Sequence, residues 1–130
     1  MTGSSFLCPD CDGATLVSGP GIELPPDSRS DEISLQALCC TSCSFRGIAI
    51  YRESRRGALD SESWEHLGYR VPQSVLVSVQ DAIALCPEPG RRSCRCTAHV
   101  LLGAQDSQGA WTWPLQQGID AAHSFTIHRS

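Results

Sequence analysis

Cys8-Pro9-Asp10-Cys11 and Cys40-Thr41-Ser42-Cys43 are the two stretches that decide how this chain folds. Both have the C-x2-C spacing, in which one tight turn directs two thiolates at a single metal ion. Two such turns supply four thiolates, which complete a tetrahedral, closed coordination shell of the structural kind. A metal held by Cys8, Cys11, Cys40 and Cys43 would therefore cross-link a segment that could hardly fold alone.

The composition favours a small domain that is supported by metal. The chain has 130 residues, of which 41% are hydrophobic and only 6% aromatic. One domain of this size, or two very small units that share a core, buries a modest apolar surface, so bound metal would supplement it. The formal net charge of −4 argues against a general polyanion binder, because counterion release needs many cationic contacts.

The eight cysteines are interpreted as thiols and not as disulfides. The residues from Met1 to Cys8 lack the cationic and apolar regions of a secretory signal. No stretch approaches the ~18 consecutive apolar residues of a membrane span. A cytosolic chain keeps its thiols reduced, which favours metal ligands and leaves disulfides as the alternative. We therefore expect a cytoplasmic protein without a membrane segment.

The first part of the chain predicts a small β unit. Residues 14–18 form a short strand candidate that ends at a Gly-Pro-Gly sequence. Residues 33–38 alternate apolar and polar side chains, and residues 47–53 are β-branched and apolar. The polar, Pro-rich residues 24–32 between them predict an exposed loop. The two cysteine turns would thus stand at the ends of about three antiparallel strands.

In this arrangement, residues 1–53 resemble the zinc-ribbon proteins. In that family the backbone N–H groups of each turn donate to the thiolates, and the metal holds the hairpins together. The resemblance implies one Zn²⁺ ion, and by position its ligands are Cys8, Cys11, Cys40 and Cys43. It covers about the first third of the chain, and no family is recognised for residues 54–130. Iron of the rubredoxin type stays open, because four thiolates also suit a single iron.

Two features of the turns depart from the zinc-ribbon pattern. That family usually has glycine directly after the second cysteine of each turn, where the backbone adopts positive φ. Here Asp12 and Ser44 occupy these positions, and aspartate tolerates positive φ better than most residues. Cys39 is a competing ligand, since it lies four residues before Cys43, but the C-x2-C spacing favours Cys40.

The second part of the chain predicts helices. Residues 60–67 have acids in a first turn and predict a short helix that ends at Gly68. Pro72 suits the first position of a second helix that runs to about Cys86. Its apolar stripe comprises Val75, Val79, Ala82, Ile83 and Cys86. Residues 94–102 slightly favour a helix over a strand.

We therefore predict an α+β fold, in which a three-stranded zinc-ribbon β unit packs with a small helical part. The divisions form one compact domain and are residues 1–53 as the ribbon unit, 54–103 as the helical unit and 104–130 as a polar tail. The tail contains Trp111 and Trp113, which would lie on one face of an extended segment. Packing of these side chains on their own domain is favoured over docking on a partner.

A second cluster of ligand-type residues lies in the helical unit and comprises Cys86, Cys94, Cys96 and His99. A helix that starts near Cys94 would place Cys96 and His99 three residues apart on one face. Three thiolates and one imidazole could hold a second zinc, while buried thiols that pack as small apolar groups are the competing interpretation. An iron–sulfur or redox role is a third possibility, because nearby arginines favour thiolates.

The motifs leave enzymatic activity uncertain and favour its absence. Four thiolates at the first cluster leave no open metal position for a water molecule. The sequence contains no H-x-E with P-C-x2-C, no H-E-x2-H, no G-x4-G-K-[ST] and no G-x-S-x-G. A catalytic Cys–His pair would exist only if the second cluster did not bind metal.

The sequence therefore favours a binding or adaptor module with a protein partner, as a subunit of a larger complex. The alternative is a nucleic-acid-associated regulator that holds phosphates with Arg52, Arg55, Arg56, Arg91, Arg92 and Arg95. Residues 51–130 hold eight acids and eight arginines, which favours a solvated, ion-paired surface over a phosphate site. A thiol or iron redox protein is the second alternative.

Overall fold

The computed structural model describes residues 5–54, 63–119 and 124–127. These residues form an antiparallel sheet of six strands whose spatial order is the chain order. The strands are β1 (Ser5–Phe6), β2 (Leu16–Leu24), β3 (Glu32–Cys40), β4 (Arg46–Ser54), β5 (Ser63–Arg70) and β6 (Ser124–Thr126). The helices are α1 (Gln73–Leu85), α2 (Thr97–Leu102) and α3 (Trp113–Gln116). The α+β prediction is confirmed, and the sheet is larger than the three strands that the sequence predicted.

The sheet has an apolar core on each face, because alternate residues of a strand point to opposite sides. Leu35 pairs with Ile50 across β3 and β4, and both belong to the larger core, which α1 covers. Leu38 and Ala49 belong to the smaller core on the other face. The smaller core includes Cys8 and Cys40, so the first cysteine cluster is built into packed structure.

The helix predicted over residues 60–67 is wrong, because residues 63–70 form β5 and pair with β4. The predicted start of that helix, at residue 60, lies outside the described residues. The sequence predicted that Gly68 ends this helix. In the structure Gly68 lies in β5, where the lack of a side chain lets another side chain approach the strand closely. A Cβ atom built on Gly68 would lie 2.3 Å from the ring of Phe125, which comes from β6. His66, which falls within the predicted helix, lies in β5, and its ring packs edge-on against the Tyr51 ring with 5.9 Å between the ring centroids.

The other predicted elements exist with shifted bounds. Strand β2 continues through the Gly-Pro-Gly sequence, where its register with β3 shifts between Ser18 and Gly21. Helix α1 begins at Gln73, one residue after the predicted first position, and Pro72 is its N-cap. Its buried side chains are Leu76, Val79 and Ile83, so the core-facing stripe is turned slightly from the predicted one. The division into residues 1–53, 54–103 and 104–130 stays a prediction.

The tryptophan segment packs on its own domain, which confirms the prediction for Trp111 and Trp113. Both side chains are buried in the larger core. The indole Nε1–H of Trp111 donates to the carbonyl of Leu102 at 2.7 Å, and its backbone N–H donates to Asp27 Oδ2 at 2.9 Å. The loop between β2 and β3 therefore anchors the chain that follows α2.

Asp27 is the polar centre of that anchor. Its Oδ1 accepts the backbone N–H groups of Arg29 and Ser30, and Arg52 lies 3.5 Å from Oδ2. Burial alone would raise the pKa of this carboxyl, but the backbone donors of Trp111, Arg29 and Ser30 and the charge of Arg52 outweigh it and lower the pKa. The ionised form is therefore the one that the fold stabilises.

We expect Asp27→Asn to lower the free energy of unfolding by about 2 kcal/mol at neutral pH, because the amide replaces a charged acceptor and one buried donor loses its partner. Denaturant unfolding measures this, with Asp81→Asn on the exposed side of α1 as the control. The folded pKa of Asp27 lies below the unfolded value of about 3.9, so its contribution is present above that pH and is lost as the pH falls through the folded value. Equal effects of the two substitutions would contradict this role.

Candidate metal centres

Among the described residues, two groups of side chains bring four ligand-type atoms each to within 4.8 Å of one another. The first, site 1, comprises Cys8, Cys11, Cys40 and Cys43. The second, site 2, comprises Cys86, Cys94, Cys96 and His99. These are the two sets that the sequence predicted, and either set can hold a metal ion. Cys39, the competing ligand considered at site 1, is not in the group.

Site 1 joins two turns at one end of the sheet. Cys8 and Cys11 lie in the connection from β1 to β2, Cys40 is the last residue of β3, and Cys43 lies in the connection from β3 to β4. The Sγ atoms of Cys8 and Cys43 are 3.6 Å apart, and those of Cys11 and Cys40 are 3.7 Å apart. Tetrahedral zinc with Zn–S bonds of about 2.3 Å requires sulfurs about 3.8 Å apart. A disulfide requires about 2 Å, so the spacing suits a shared metal ion, and all four cysteines are free.

The backbone of the turns donates to the sulfurs of site 1. The N–H of Ser42 lies 3.3 Å from Cys40 Sγ, and the N–H of Phe45 lies 3.4 Å from Cys43 Sγ. Asp12 has φ of 60°, as its position after the second cysteine of the first turn predicted. Ser44, at the matching position of the second turn, is not among the described non-glycine residues with positive φ. The second turn therefore closes without the left-handed residue that the zinc-ribbon pattern has there.

The thiols of Cys40 and Cys43 in site 1 differ in pKa. The hydroxyl of Thr15, 3.1 Å from Cys40 Sγ, is the main cause that lowers the pKa of Cys40 to about 6. The Phe45 N–H favours the thiolate of Cys43, but burial and the neighbouring thiols outweigh it and raise the pKa of Cys43 to about 12. Four adjacent thiolates repel one another, so a bound cation is what allows all four to ionise together.

Arg70 attaches site 1 to the sheet. Its guanidinium, at the end of β5, donates through Nη1 to Asp10 Oδ2 at 2.8 Å and through Nη2 to Asp10 Oδ1. These bonds lower the pKa of the Asp10 carboxyl, which lies inside the first C-x2-C turn. The same guanidinium lies 5.0 Å from the ring centroid of Phe45, in the second turn. No local sequence signal indicates this link, because Asp10 and Arg70 are distant in the chain.

Site 2 lies between α1, α2 and the sheet. Cys86 directly follows α1, Cys94 and Cys96 precede α2, and His99 lies within α2. His99 Nδ1 is 3.3 Å from both Cys86 Sγ and Cys96 Sγ, and Cys86 Sγ is 4.0 Å from Cys94 Sγ. Zinc bonds of about 2.0 Å to nitrogen and 2.3 Å to sulfur place these atoms about 3.5 Å apart. The geometry therefore matches a tetrahedral site of three thiolates and one imidazole.

A backbone carbonyl orients the imidazole of site 2. His99 Nε2 lies 2.9 Å from the carbonyl oxygen of Glu23, which can only accept, so the proton is on Nε2. The lone pair of Nδ1 is then directed at Cys86 and Cys96, which is the arrangement that ligating histidines have in metal sites. The backbone N–H of Glu23 donates to the carbonyl of Pro89 at 2.7 Å, in the loop between Cys86 and Cys94. Strand β2 therefore holds both the ligand helix and the loop between the ligands.

The thiols of site 2 also differ in acidity. Burial, with the thiols of Cys96 and Cys94, raises the pKa of Cys86 to about 11. The hydrogen bond with the His99 side chain, which stabilises the Cys96 thiolate when Nδ1 donates it, is the main cause that lowers the pKa of Cys96 to about 6. Cys96 would therefore be the first thiolate to receive a metal ion, with the others deprotonated by its charge.

The arginines named in the sequence analysis lie in different environments. Arg52 stands beside the buried Asp27 and lies 6.0 Å from the Trp111 ring centroid. Arg91 forms a salt bridge with Glu88 at 3.0 Å, and Arg92 donates to a backbone carbonyl. Arg95 is exposed. Arg55 and Arg56 lie outside the described residues, and a nucleic-acid partner stays a prediction.

The fold and the two sites define a metal-binding module of the α+β class. Comparisons with protein-family models, with curated proteins and with solved structures found no significant match. In the part of the chain that the structure describes, no helix is long and apolar enough to cross a membrane.

Proposed function

We propose that this protein is a small zinc-binding module with two structural zinc ions, and that it acts as a binding or adaptor subunit for a partner protein. The observation that carries the proposal is the pair of four-donor groups, each of tetrahedral size and each joined to the same sheet. The described part of residues 1–53 would then form the zinc-ribbon-like unit that the sequence resembles.

The donor sets support zinc and a structural role. Four thiolates at site 1, and three thiolates with one imidazole at site 2, are combinations that structural zinc adopts. Each set leaves no ligand position for water, so neither ion would be placed for hydrolysis. Iron is the competing metal at site 1, because it also accepts four thiolates. All eight cysteines are free, which supports a reducing compartment such as the cytoplasm.

Exposed apolar side chains support a protein partner. Leu85 and Leu101 are exposed and line the same hollow between α1 and α2, which Cys96 of site 2 also lines. Exposed apolar side chains that lie together are typical of surfaces that another protein covers. Zinc at site 2 would hold α1 and α2 in fixed positions, so that these side chains are presented on rigid structure. Nucleic-acid-associated regulation stays the alternative, as predicted from the arginines.

Native mass spectrometry tests the metal content. We expect two zinc ions per chain after aerobic purification, both lost when the protein is denatured in acid, because protonation removes thiolate and imidazole ligands. Elemental analysis of the same sample identifies the metal. Iron with visible absorbance would contradict zinc at site 1, and one zinc per chain would contradict metal binding at site 2.

A further inference from the structure

An open cleft of about 790 Å³ lies directly beside site 2. Its lining includes Pro25 and Pro26 from the loop after β2 and Val100 from α2. Arg92 and Arg95, two exposed arginines, belong to the same lining. Cys94 and His99 also line it, so two candidate ligands of site 2 form part of its wall.

The walls of the cleft are held in place by direct contacts. Gln105 donates through Nε2 to the carbonyl of Pro26 at 2.9 Å, which ties the segment after α2 to the proline loop. Gly103 ends α2 so close to Pro25 that an added Cβ would lie 3.2 Å from the proline ring. The cleft is therefore preformed, which lowers the conformational cost of binding.

The two cleft arginines differ from their neighbour Arg91. Arg91 is ion-paired with Glu88. Arg92 donates through Nη1 to the backbone carbonyl of Asp31 at 3.0 Å. Its positive charge also acts on the Glu23 carboxyl, but the two groups form no salt bridge. Within the described residues, neither Arg92 nor Arg95 forms a salt bridge with a carboxylate. Two exposed guanidinium groups on a mainly apolar cleft therefore lack the anionic partner that they bind best.

The lining indicates a peptide and argues against a nucleic acid. Proteins that hold single-stranded nucleic acid stack its bases on exposed aromatic side chains, whereas the aromatic ring in the described lining of this cleft is the buried imidazole of His99. The formal net charge of −4 further disfavours a polyphosphate chain. Proline and valine side chains provide apolar contacts, while the arginines suit carboxylates, which bind a guanidinium through two parallel hydrogen bonds.

We propose that this cleft binds an extended peptide segment of a partner protein in which acidic side chains stand next to apolar ones. Carboxylates of the peptide contact Arg92 and Arg95, and an apolar side chain packs against Pro25, Pro26 and Val100. The proposal rests on the proposed function as a partner-binding module and assigns that function a surface and a ligand chemistry.

Fluorescence anisotropy with a labelled peptide of alternating glutamate and leucine tests the cleft. We expect saturable binding to the metal-loaded full chain, and a loss of affinity of about tenfold for Arg95→Ala, with a further loss when Arg92→Ala is added. Arg91→Ala is the matched control and should bind as the parent does, because that arginine is paired outside the cleft lining. Val100→Ser, at an exposed position, should also weaken binding.

Three further labelled probes test whether binding depends on the negative charge, on the apolar side chains or on a peptide backbone. These are a peptide of alternating lysine and leucine, one of alternating glutamate and serine, and a labelled single-stranded DNA. Absence of saturable binding, equal binding of the glutamate–serine peptide, tighter binding of DNA, or an equal loss in Arg91→Ala would each overturn the proposal. The metal content of every sample is measured in parallel. If the parent protein holds two zinc ions but binds no peptide, the peptide-binding cleft is refuted and the metal sites stand. If the parent protein binds the peptide although it holds no metal as purified, the metal sites are refuted and the cleft stands.

Discussion

Cys40→Ser is expected to leave the protein largely unfolded under conditions in which the parent chain is stable. Cys40 is buried in the smaller core, accepts the Ser42 N–H and lies 3.7 Å from Cys11 Sγ. Structural zinc contributes about 10–16 kcal/mol of binding free energy in small zinc domains. A domain of this size has a net stability of only about 5–15 kcal/mol. Loss of one thiolate at site 1 therefore removes a contribution as large as the stability itself.

The neighbouring cysteine provides a matched control for this prediction. Cys39 is only partly buried, lies on the opposite side of β3 from Cys40 and is not in the site 1 group. Cys39→Ser should therefore keep both zinc ions and change the free energy of unfolding by less than about 1 kcal/mol. Circular dichroism, denaturant unfolding and zinc content measured on both variants compare them directly. Similar stability of the two variants would show that no structural metal is held at site 1.

The parts of site 1 that the sequence predicted are those that local chain geometry decides. A C-x2-C turn places two sulfurs together whatever the rest of the chain does, and Asp12 with positive φ follows from that turn. The choice of Cys40 over Cys39 also follows from spacing alone. Thr15, whose hydroxyl contacts Cys40 Sγ, has no local signal, because it is brought there by the pairing of β2 with β3.

The helix predicted over residues 60–67 failed for a non-local reason. Acids in a first turn, with apolar side chains three residues apart, suit a short helix, and short apolar runs fit helices and strands alike. Residues 63–70 form a strand because they pair with β4, in a register that runs from Gly47–Arg70 to Ser54–Ser63. Strand β6 then covers Gly68 with the Phe125 ring. Neither partner can be recognised from residues 60–67 themselves.

For site 2 the sequence predicted the ligand residues but not the groups that hold them in place. The spacing of its cysteines and His99 predicted the group, although the helix that carries His99 begins at Thr97, later than expected. The Glu23 carbonyl that orients His99 is a backbone group 76 residues away in sequence. A backbone acceptor has no side-chain signature, so only the docking of α2 on β2 reveals it.

Cys96→Ser is expected to remove one zinc ion per chain and to loosen α2 while the sheet stays folded. Helix α2 has six residues, which is too short to be stable without external support. Its support is His99, which bonds to Glu23, and the packing of Ala98 and Leu102 in the larger core. Without the metal, Cys86 and His99 no longer share a partner that fixes α2 to the end of α1. We expect amide protection in α2 to fall by about a hundredfold, or about 3 kcal/mol of local stability.

Hydrogen exchange read by mass spectrometry, with native mass spectrometry of the same samples, measures both effects. Peptides from β3 and β4 should keep their protection, because these strands pair from Glu32–Glu53 to Cys39–Arg46 and β3 ends at Cys40 of site 1. Thr97→Ala is the matched control, since Thr97 is the first residue of α2, directly follows Cys96, is exposed and is not in the site 2 group. It should keep two zinc ions and parent-like exchange. If Cys96→Ser also retained two zinc ions, or lost protection equally in α2 and β3, then site 2 would not be a metal centre that locally holds α2 to the sheet.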